Sequence, residues 1–282
     1  MKPILEVNGL TKQLGNFQLK DVSFSLTEGC ITGFIGVNGA GKTTTIKLLL
    51  GLIQKDAGEI HFFGENVQSK EREFKSRLGI VLDEGYFYEG LTLLEMKNIV
   101  AAAYSHWDNS LFNRNIERFG LSLNQKIETL SKGMRMKYAI ALAISHHADL
   151  LIMDEPASGL DPQVRMELRD ILLEYVADGK SVFLSSHITS DLDKVADTII
   201  LIDNGQIVFS EEKDILLDQH GLVKGDTKEL NDQTRNLFLT LQETEYGFSG
   251  LTKDKASVRQ QMNNTLIERP SIEDIMLSYI GR

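Results

Sequence analysis

The feature that most constrains this 282-residue chain is a glycine-rich run at residues 36–44. It reads Gly36-Val37-Asn38-Gly39-Ala40-Gly41-Lys42-Thr43-Thr44 and fits the pattern G-x-x-x-x-G-K-[ST]. An apolar, strand-like run at 30–35 precedes it, and the helix-favouring residues 46–50 follow it. The sequence therefore predicts a strand, a glycine loop and a helix in that order. Glycine-rich turns also precede ordinary helices, so the interpretation depends on partner motifs elsewhere.

The residue types of this run suit phosphate binding. Glycine lets the backbone curl until its N–H groups face phosphate oxygen atoms, close to the positive end of the following helix dipole. Lys42 adds a point charge for the β- and γ-phosphates, and the Thr43 hydroxyl is placed to ligate Mg²⁺. The candidate phosphate-binding residues are Gly36, Asn38, Gly39, Ala40, Gly41, Lys42, Thr43 and Thr44.

Composition narrows the class of protein. A hydrophobic fraction of 42% with 25% charged residues is typical of an ordinary globular chain. The net charge of −10 argues against a nucleic-acid partner, because phosphate backbones are recognised mainly through clustered Lys and Arg. No apolar run approaches the roughly 18 residues that a membrane helix requires, so we expect any membrane role to come through a partner. The single Cys30 fits a reducing cytoplasm.

Strand-like and helix-like segments alternate along most of the chain, which predicts a parallel α/β sheet. Further strands are expected at 77–83, at 149–155, which reads as buried, and at 181–186, with a hairpin at 198–209. Residues 4–8 and 17–26 alternate apolar and polar side chains, which predicts a sheet with one wet face. Helical periodicity extends from 92 to 119. From residue 211 onward the pattern changes to short mixed segments with a possible final helix at 272–279.

Four further motifs follow the glycine loop. Leu130-Ser131-Lys132-Gly133-Met134 lies roughly 20 residues before Asp154-Glu155-Pro156, which ends an apolar run. Next come Ser158-Gly159-Leu160-Asp161 and then His187, which follows Leu184-Ser185-Ser186. Each has an ordinary reading by itself: a helix N-cap, surface acids, a turn and a lone histidine. Together and in this order, they make residues 4 to about 210 resemble the ATP-binding subunit of an ABC transporter.

The resemblance implies a fold and a domain division. The fold expected is a P-loop NTPase with a RecA-like parallel sheet core, an antiparallel β subdomain and a helical subdomain that carries the signature motif. Residues 1–210 would form the nucleotide-binding domain, with the helical subdomain at about 90–148. Residues 211–282 would form a small accessory region, which by default only caps the domain.

The resemblance also implies a role for each motif, with ATP and Mg²⁺ as ligands. Asp154 would hold Mg²⁺, while Glu155 would polarise the attacking water as a general base. His187 would reach the γ-phosphate, and Asp161 lies in a loop expected to cross a dimer interface. Ser131 and Gly133 would grip the γ-phosphate held by a second nucleotide-binding subunit, so ATP would be buried between two subunits arranged head to tail.

Three departures from the family pattern bear on the site. Asp83 stands where the family usually has Gln or Glu, and we take it as a candidate catalytic residue and Mg²⁺ ligand with a short reach. Leu14 stands where many members stack an aromatic ring on adenine, so stacking is either weak or supplied by Phe17. Lys132 either adds a charge near the partner-bound phosphate or is a solvated lysine.

Within the family, the segments 83–92 and 270–276 make the chain look like bacterial exporter ATPases of the bacitracin-resistance and phenol-soluble-modulin type. The implied partners are a separate transmembrane permease and a second nucleotide-binding subunit, identical or a close paralogue, at the cytoplasmic face of the membrane. Peptides or amphipathic antimicrobials are the implied cargo. The aromatic run Tyr86-Phe87-Tyr88 is either core or a socket for a permease helix.

A second hypothesis is a regulatory or signalling module that binds ATP and dimerises without transport-linked turnover. Asp83 and the altered signature motif keep it open, whereas the presence of Lys42, Glu155 and His187 argues against an inactive enzyme. Changing Glu155 to Gln discriminates the two, because only a hydrolysing subunit should become trapped as an ATP-bound dimer. A soluble P-loop kinase or GTPase would leave residues 131–133 and His187 unexplained.

Overall fold

The computed structural model describes residues 3–66, 71–82 and 87–280. In chain order the strands are β1 (Pro3–Leu14), β2 (Phe17–Thr27), β3 (Ile31–Ile35), β4 (Ala57–Phe62), β5 (Glu65–Asn66), β6 (Leu78–Val81), β7 (Leu150–Met153), β8 (Ser181–Ser186), β9 (Thr198–Asp203), β10 (Gln206–Glu212), β11 (Gly221–Gly225), β12 (Phe238–Thr244), β13 (Gly247–Thr252) and β14 (Thr265–Glu268). The α-helices are α1 (Lys42–Leu49), α2 (Glu71–Lys75), α3 (Leu93–Ala101), α4 (Asn109–Arg118), α5 (Lys132–Ile144), α6 (Pro162–Ala177), α7 (Thr189–Val195), α8 (Lys213–Gln219), α9 (Asp232–Arg235), α10 (Lys255–Gln261) and α11 (Ile272–Tyr279).

A six-stranded sheet with the order β10-β9-β3-β8-β7-β6 forms the centre of the molecule. Strand β3 pairs in parallel with both β8 and β9, and β7 pairs in parallel with β6 and β8. Every residue of β3, β7 and β8 is buried, as expected for a parallel sheet covered on both faces. The predicted α/β core is therefore confirmed, and the carboxyl ends of β3, β8 and β7 meet at one edge.

A separate antiparallel sheet, in the order β2-β1-β4-β5, covers one face of this core. Strand β2 alternates buried and exposed side chains over much of its length, which confirms the predicted wet face. Phe24 carries the contact with the central sheet, since its ring lies 5.8 Å from those of both Phe34 and Phe183. Both sheets thereby share one hydrophobic cluster.

The region 92–119, predicted to be helical, contains the two helices α3 and α4. Thr92 and Glu95 form a capping box at the start of α3. Asp108 begins α4, because its carboxylate accepts a hydrogen bond from the Leu111 N–H at 2.8 Å. Residues 102–107 separate the two helices, and the side-chain cap at Asp108 sets where the second begins.

The C-terminal region contains a four-stranded antiparallel sheet, in the order β12-β13-β11-β14, that the sequence pattern did not predict. The final helix is found at Ile272–Tyr279, as predicted. Its buried residues Ile272, Ile275 and Met276 belong to the same hydrophobic core as the central sheet. None of the helices in the described ranges is long and apolar enough to cross a bilayer.

Candidate nucleotide site

The glycine loop leaves the amino end of α1 uncapped by any side chain. Gly41 is the N-cap residue, with a φ of 116°, and it has no side-chain hydrogen bond to offer to the first turn of the helix. The free N–H groups at such a helix start form an anion-binding site. They face a cavity of about 630 Å³ lined by Leu14, Phe17, Asn38, Gly39, Gly41, Lys42, Thr43, Thr44, Glu155, Ser158 and His187.

The loop takes this shape because its glycines permit close backbone approach. A Cβ atom on Gly36 would lie only 2.4 Å from the carbonyl oxygen of Ile202 at the end of β9. The Ala40 carbonyl accepts a hydrogen bond from Gly205 N–H at 2.9 Å, which ties the loop to the β9–β10 turn. A larger residue at Gly36 would push the loop away from β9 and change the position of Lys42.

Lys42 is buried and points its ammonium group back into the loop. Its Nζ donates to the carbonyl oxygen of Gly36 at 2.7 Å and lies 3.2 Å from Oε1 of Glu155. A buried ammonium needs such partners, because removing an unpaired charge from water is costly. Lys42 is thereby a fixed positive charge on the wall of the cavity.

Glu155 joins Lys42 to His187. Its other oxygen, Oε2, lies 2.7 Å from Nδ1 of His187 and accepts the His187 backbone N–H at 3.2 Å. Glu155 has a φ of 49°, a left-handed conformation that non-glycine residues rarely adopt. This backbone turns its carboxylate from the end of β7 toward the cavity, so a cation, an acid and an imidazole lie in contact there.

Asp154 is buried beside this group but does not line the cavity. Its Oδ1 accepts a hydrogen bond from Ser185 Oγ at 2.6 Å, and Ser185 Oγ in turn accepts the Glu155 backbone N–H at 2.9 Å. Ser185, on β8, therefore fixes both acids that follow β7. Thr43 and Asp154 offer hydroxyl and carboxylate oxygen atoms, which are the ligands Mg²⁺ prefers.

The apolar end of the cavity is formed by Leu14 and Phe17, the residues that bound the β1–β2 turn. The Phe17 ring approaches to 3.0 Å of the point where a Cβ of Gly41 would lie, so it packs directly on the glycine loop. Leu14 is 40% exposed and presents an aliphatic surface to the cavity. Phe17 thus lines the cavity, and its stacking on a base stays a prediction.

The signature residues lie elsewhere. Ser131 is the N-cap of α5 and accepts the Met134 N–H at 3.2 Å, while Gly133 faces Val164 on α6. Asp161 caps α6 by accepting the Val164 N–H at 3.0 Å. Ser131, Gly133 and Asp161 are not among the residues that line the cavity within this chain. The chain therefore brings together the glycine loop, Glu155, His187 and Phe17 but not the signature motif.

Two sequence expectations concern the segment after β6. Asp83 and Tyr86 lie outside the described residues, so the proposed role of Asp83 stays a prediction. The two described residues of the aromatic run differ in their environment. The Phe87 ring packs 5.4 Å from that of Tyr138, whereas Tyr88 is 68% exposed. Phe87 also lines an apolar cavity of about 220 Å³ with Ile80, Val81, Leu82, Met96, Val100, Tyr104, Ala139, Leu142 and Ala143.

Comparison with known proteins places this site in a family. Residues 19–158 match the family model described as ABC transporter. The bacitracin transport ATP-binding protein BcrA of Bacillus licheniformis is 35% identical over 212 residues, which are 74% of this chain and 69% of that protein. The chain belongs to the ABC transporter ATP-binding family. It is therefore an ATP-hydrolysing subunit of a transporter, and a nucleotide is its ligand.

A second relative and a solved structure agree with this family. An uncharacterized ABC transporter ATP-binding protein of Nostoc sp. is 31% identical over 94% of this chain and 83% of its own length, so it covers the C-terminal region as well. A solved structure described as the ATP binding subunit of an ABC transporter is 30% identical, with a TM-score of 0.70 over 77% of this chain and 92% of that one. The P-loop NTPase fold is confirmed.

Sequence reasoning did not assign roles to Ser158 and Ser185. Ser158 lines the cavity, and Ser185 holds Asp154 and Glu155. The available signal for Ser185 was a hydroxyl at the end of an apolar strand two residues before His187. Ser158 follows the acids closely enough to share their edge of the sheet.

Proposed function

We propose that this ATPase subunit drives a peptide exporter by closing, with a second nucleotide-binding subunit, around two ATP molecules. The observation that supports this proposal is the division of the site residues. Lys42, Thr43, Glu155 and His187 share one cavity, whereas Ser131 and Gly133 belong to a different surface of the same chain. A complete site then requires Ser131 and Gly133 from another subunit, identical or closely related.

In this proposal the chain's own residues divide the work on ATP. The glycine loop and Lys42 hold the phosphates, and Phe17 with Leu14 covers the base. Thr43 and Asp154 would hold Mg²⁺, which would neutralise charge on the β- and γ-phosphates. Phosphate oxygen atoms compete with Glu155 for the Lys42 ammonium, so nucleotide binding releases the Glu155 carboxylate to orient the attacking water.

His187 has two roles in this proposal, one toward the Glu155 carboxylate and one toward the γ-phosphate. Its backbone N–H and its ring both contact Oε2 of Glu155, so it fixes the direction of the base. The exposed part of the ring is free to approach the γ-phosphate and stabilise charge on the transferring group. Asp161, at the start of α6, would lie at the interface between the two subunits, and Asp83 would contact Mg²⁺ or water.

A separate membrane permease is the second partner. The apolar cavity lined by Phe87 lies beside β6, an edge strand of the central sheet, and Ile80 on that strand is 37% exposed. A short cytoplasmic helix of a permease would bury these apolar side chains. The chain would then act at the cytoplasmic face of the membrane, and nucleic acid would not be among its partners. Similarity to a bacitracin transport protein supports a peptide or amphipathic antimicrobial as the cargo.

The export function is tested in a strain lacking this chain, complemented with the parent sequence or with the Glu155→Gln variant. We expect the parent to restore resistance to bacitracin or to an amphipathic helical peptide, and the variant to fail because it binds ATP without turnover. Immunoblots control for equal amounts of the two proteins. Equal minimum inhibitory concentrations for both peptides in all three strains would contradict peptide export.

A further inference from the structure

The C-terminal region packs against the helix that follows the site histidine. Helix α7 begins at Thr189, two residues after His187, and α11 lies directly against it. Leu192 of α7 and Ile272 and Ile275 of α11 are completely buried in the same hydrophobic core. The accessory region therefore packs against α7, the helix that directly follows the site residue His187.

Asp193 carries the polar part of this interface. Its Oδ1 accepts the backbone N–H of Ile272 at 3.3 Å. Ile272 is the first residue of α11, where backbone N–H groups have no partner within the helix, and a carboxylate at that end also interacts favourably with the helix dipole. From the other side, Lys213 Nζ of α8 donates to the Asp193 carbonyl oxygen at 3.1 Å. Helices α8 and α11 thus both contact α7 at Asp193.

Helix α7 in turn contacts two elements that carry site residues. Leu192 packs so closely on β3 that a Cβ on Gly33 would lie 2.9 Å from its Cδ1 atom. Strand β3 leads into the glycine loop. Asp191 pairs with Arg165 of α6 at 3.5 Å, and α6 begins at Asp161. These contacts hold the body of α7 against β3 and α6, so a shift caused at Asp193 would be felt mainly at His187, two residues before the helix.

We propose that the C-terminal region is a positioning element for hydrolysis, with Asp193 as the positioning residue that sets α7 and thereby the contact of His187 with Glu155. This inference rests on the proposed role of His187. That contact is short, 2.7 Å from Nδ1 to Oε2, so a small shift at the start of α7 weakens it. The region then does more than cap the domain, because its contact with α7 affects the geometry of the site.

The test compares full-length Asp193→Ala with the parent in steady-state ATP hydrolysis. We expect kcat to fall about five- to tenfold, the cost of one ordinary intramolecular hydrogen bond, with KM changed less than about twofold because Lys42 and the glycine loop stay in place. Asp193→Asn keeps an oxygen acceptor and should retain kcat within about twofold. Asp214→Ala, which removes an exposed pair with Arg269 inside the C-terminal region, is the matched control and should match the parent.

A double-mutant cycle separates positioning from general stabilisation. In a His187→Ala background, Asp193→Ala should lower kcat no further, because the group through which it acts is gone. The same fold loss in both backgrounds would overturn the positioning role while leaving His187 as a site residue. An unchanged kcat in His187→Ala itself would overturn both. Where Asp193→Ala does not fold, Ile272→Val, which removes one buried methyl group from α11, replaces it in the same cycle.

Discussion

At the scale of single residues, Leu14 and Phe17 are the proposed contacts for the nucleotide base. Leu14 offers an aliphatic surface, and the only ring on this wall of the described cavity is Phe17, packed on the glycine loop. Neither side chain has a hydrogen-bonding group that could read the edge of a base. The phosphate-binding residues should therefore supply most of the binding energy.

This geometry predicts modest discrimination between nucleoside triphosphates. ATP and GTP should be hydrolysed with kcat/KM values within about tenfold of each other, and Phe17→Ala should raise both KM values by a similar factor because stacking is tolerant of base identity. Leu14→Tyr should lower the KM for both nucleotides, because it supplies an aromatic ring on which a base can stack. A strict preference of the parent for ATP, measured in the same assay, would contradict this account.

The acids and the imidazole show what residue patterns can and cannot predict. The apolar run before Asp154 and the position of His187 were sufficient to place both residues at one edge of the sheet. The contacts of Glu155 with Lys42 and His187 depend on its left-handed backbone, and no local pattern encodes that conformation. Ser185 was missed for a similar reason, since its role arises from pairing between β7 and β8.

At the scale of elements, His220 joins α8 to α11. Its Nδ1 donates to the Leu216 carbonyl oxygen at 2.8 Å, and its Nε2 lies 3.0 Å from the Tyr279 hydroxyl. Burial lowers the pKa of His220 below its ordinary value of 6.5, and Lys253 and Lys255 act in the same direction. The neutral ring is therefore the form that the folded protein prefers.

This lowered pKa predicts a loss of stability in mild acid. Below pH 6.5 the unfolded chain binds a proton that the folded state resists, so the free energy of unfolding falls as the pH drops toward the folded pKa. His220→Gln should reduce the decrease in Tm between about pH 7.5 and 5.5, since the amide does not titrate. His106→Gln, at an exposed position, should keep the parental pH dependence. An unchanged pH dependence in His220→Gln would contradict the assignment.

The helices and parallel strands were predictable where length and periodicity agreed. α11 and β8 coincide with their predicted ranges. The C-terminal sheet was not predictable, because β11 and β13 contain glycines, Gly221, Gly225 and Gly250, that weaken a strand pattern. Gly250 is required there by packing, since its Cβ would lie 2.7 Å from the Phe238 ring. Such a requirement is visible only once the strands are paired.

At the scale of the whole molecule, the chain is an ABC transporter ATPase whose described cavity contains one part of the expected site. Ser131 and Gly133 form the start of α5, and Asp161 forms the start of α6 beside them, with Gly133 facing Val164. Lys132 also lies against Gly159, because its Nζ is 3.4 Å from the point that a Cβ atom on Gly159 would occupy. The amino ends of these two helices therefore lie side by side, and in the proposed dimer they would face the nucleotide of the second subunit.

The most direct test mixes two variants, each defective in one part of the proposed site. Lys42→Ala removes the phosphate-binding ammonium, and Ser131→Asp keeps the helix N-cap but places a negative charge where a partner's γ-phosphate would lie. Each variant alone should be inactive in ATP hydrolysis. In a 1:1 mixture about half the dimers combine both chains and contain one intact site of two, so about a quarter of parental activity should return. A mixture as inactive as its folded components would place Lys42 and Ser131 in one site of one chain and contradict the shared site.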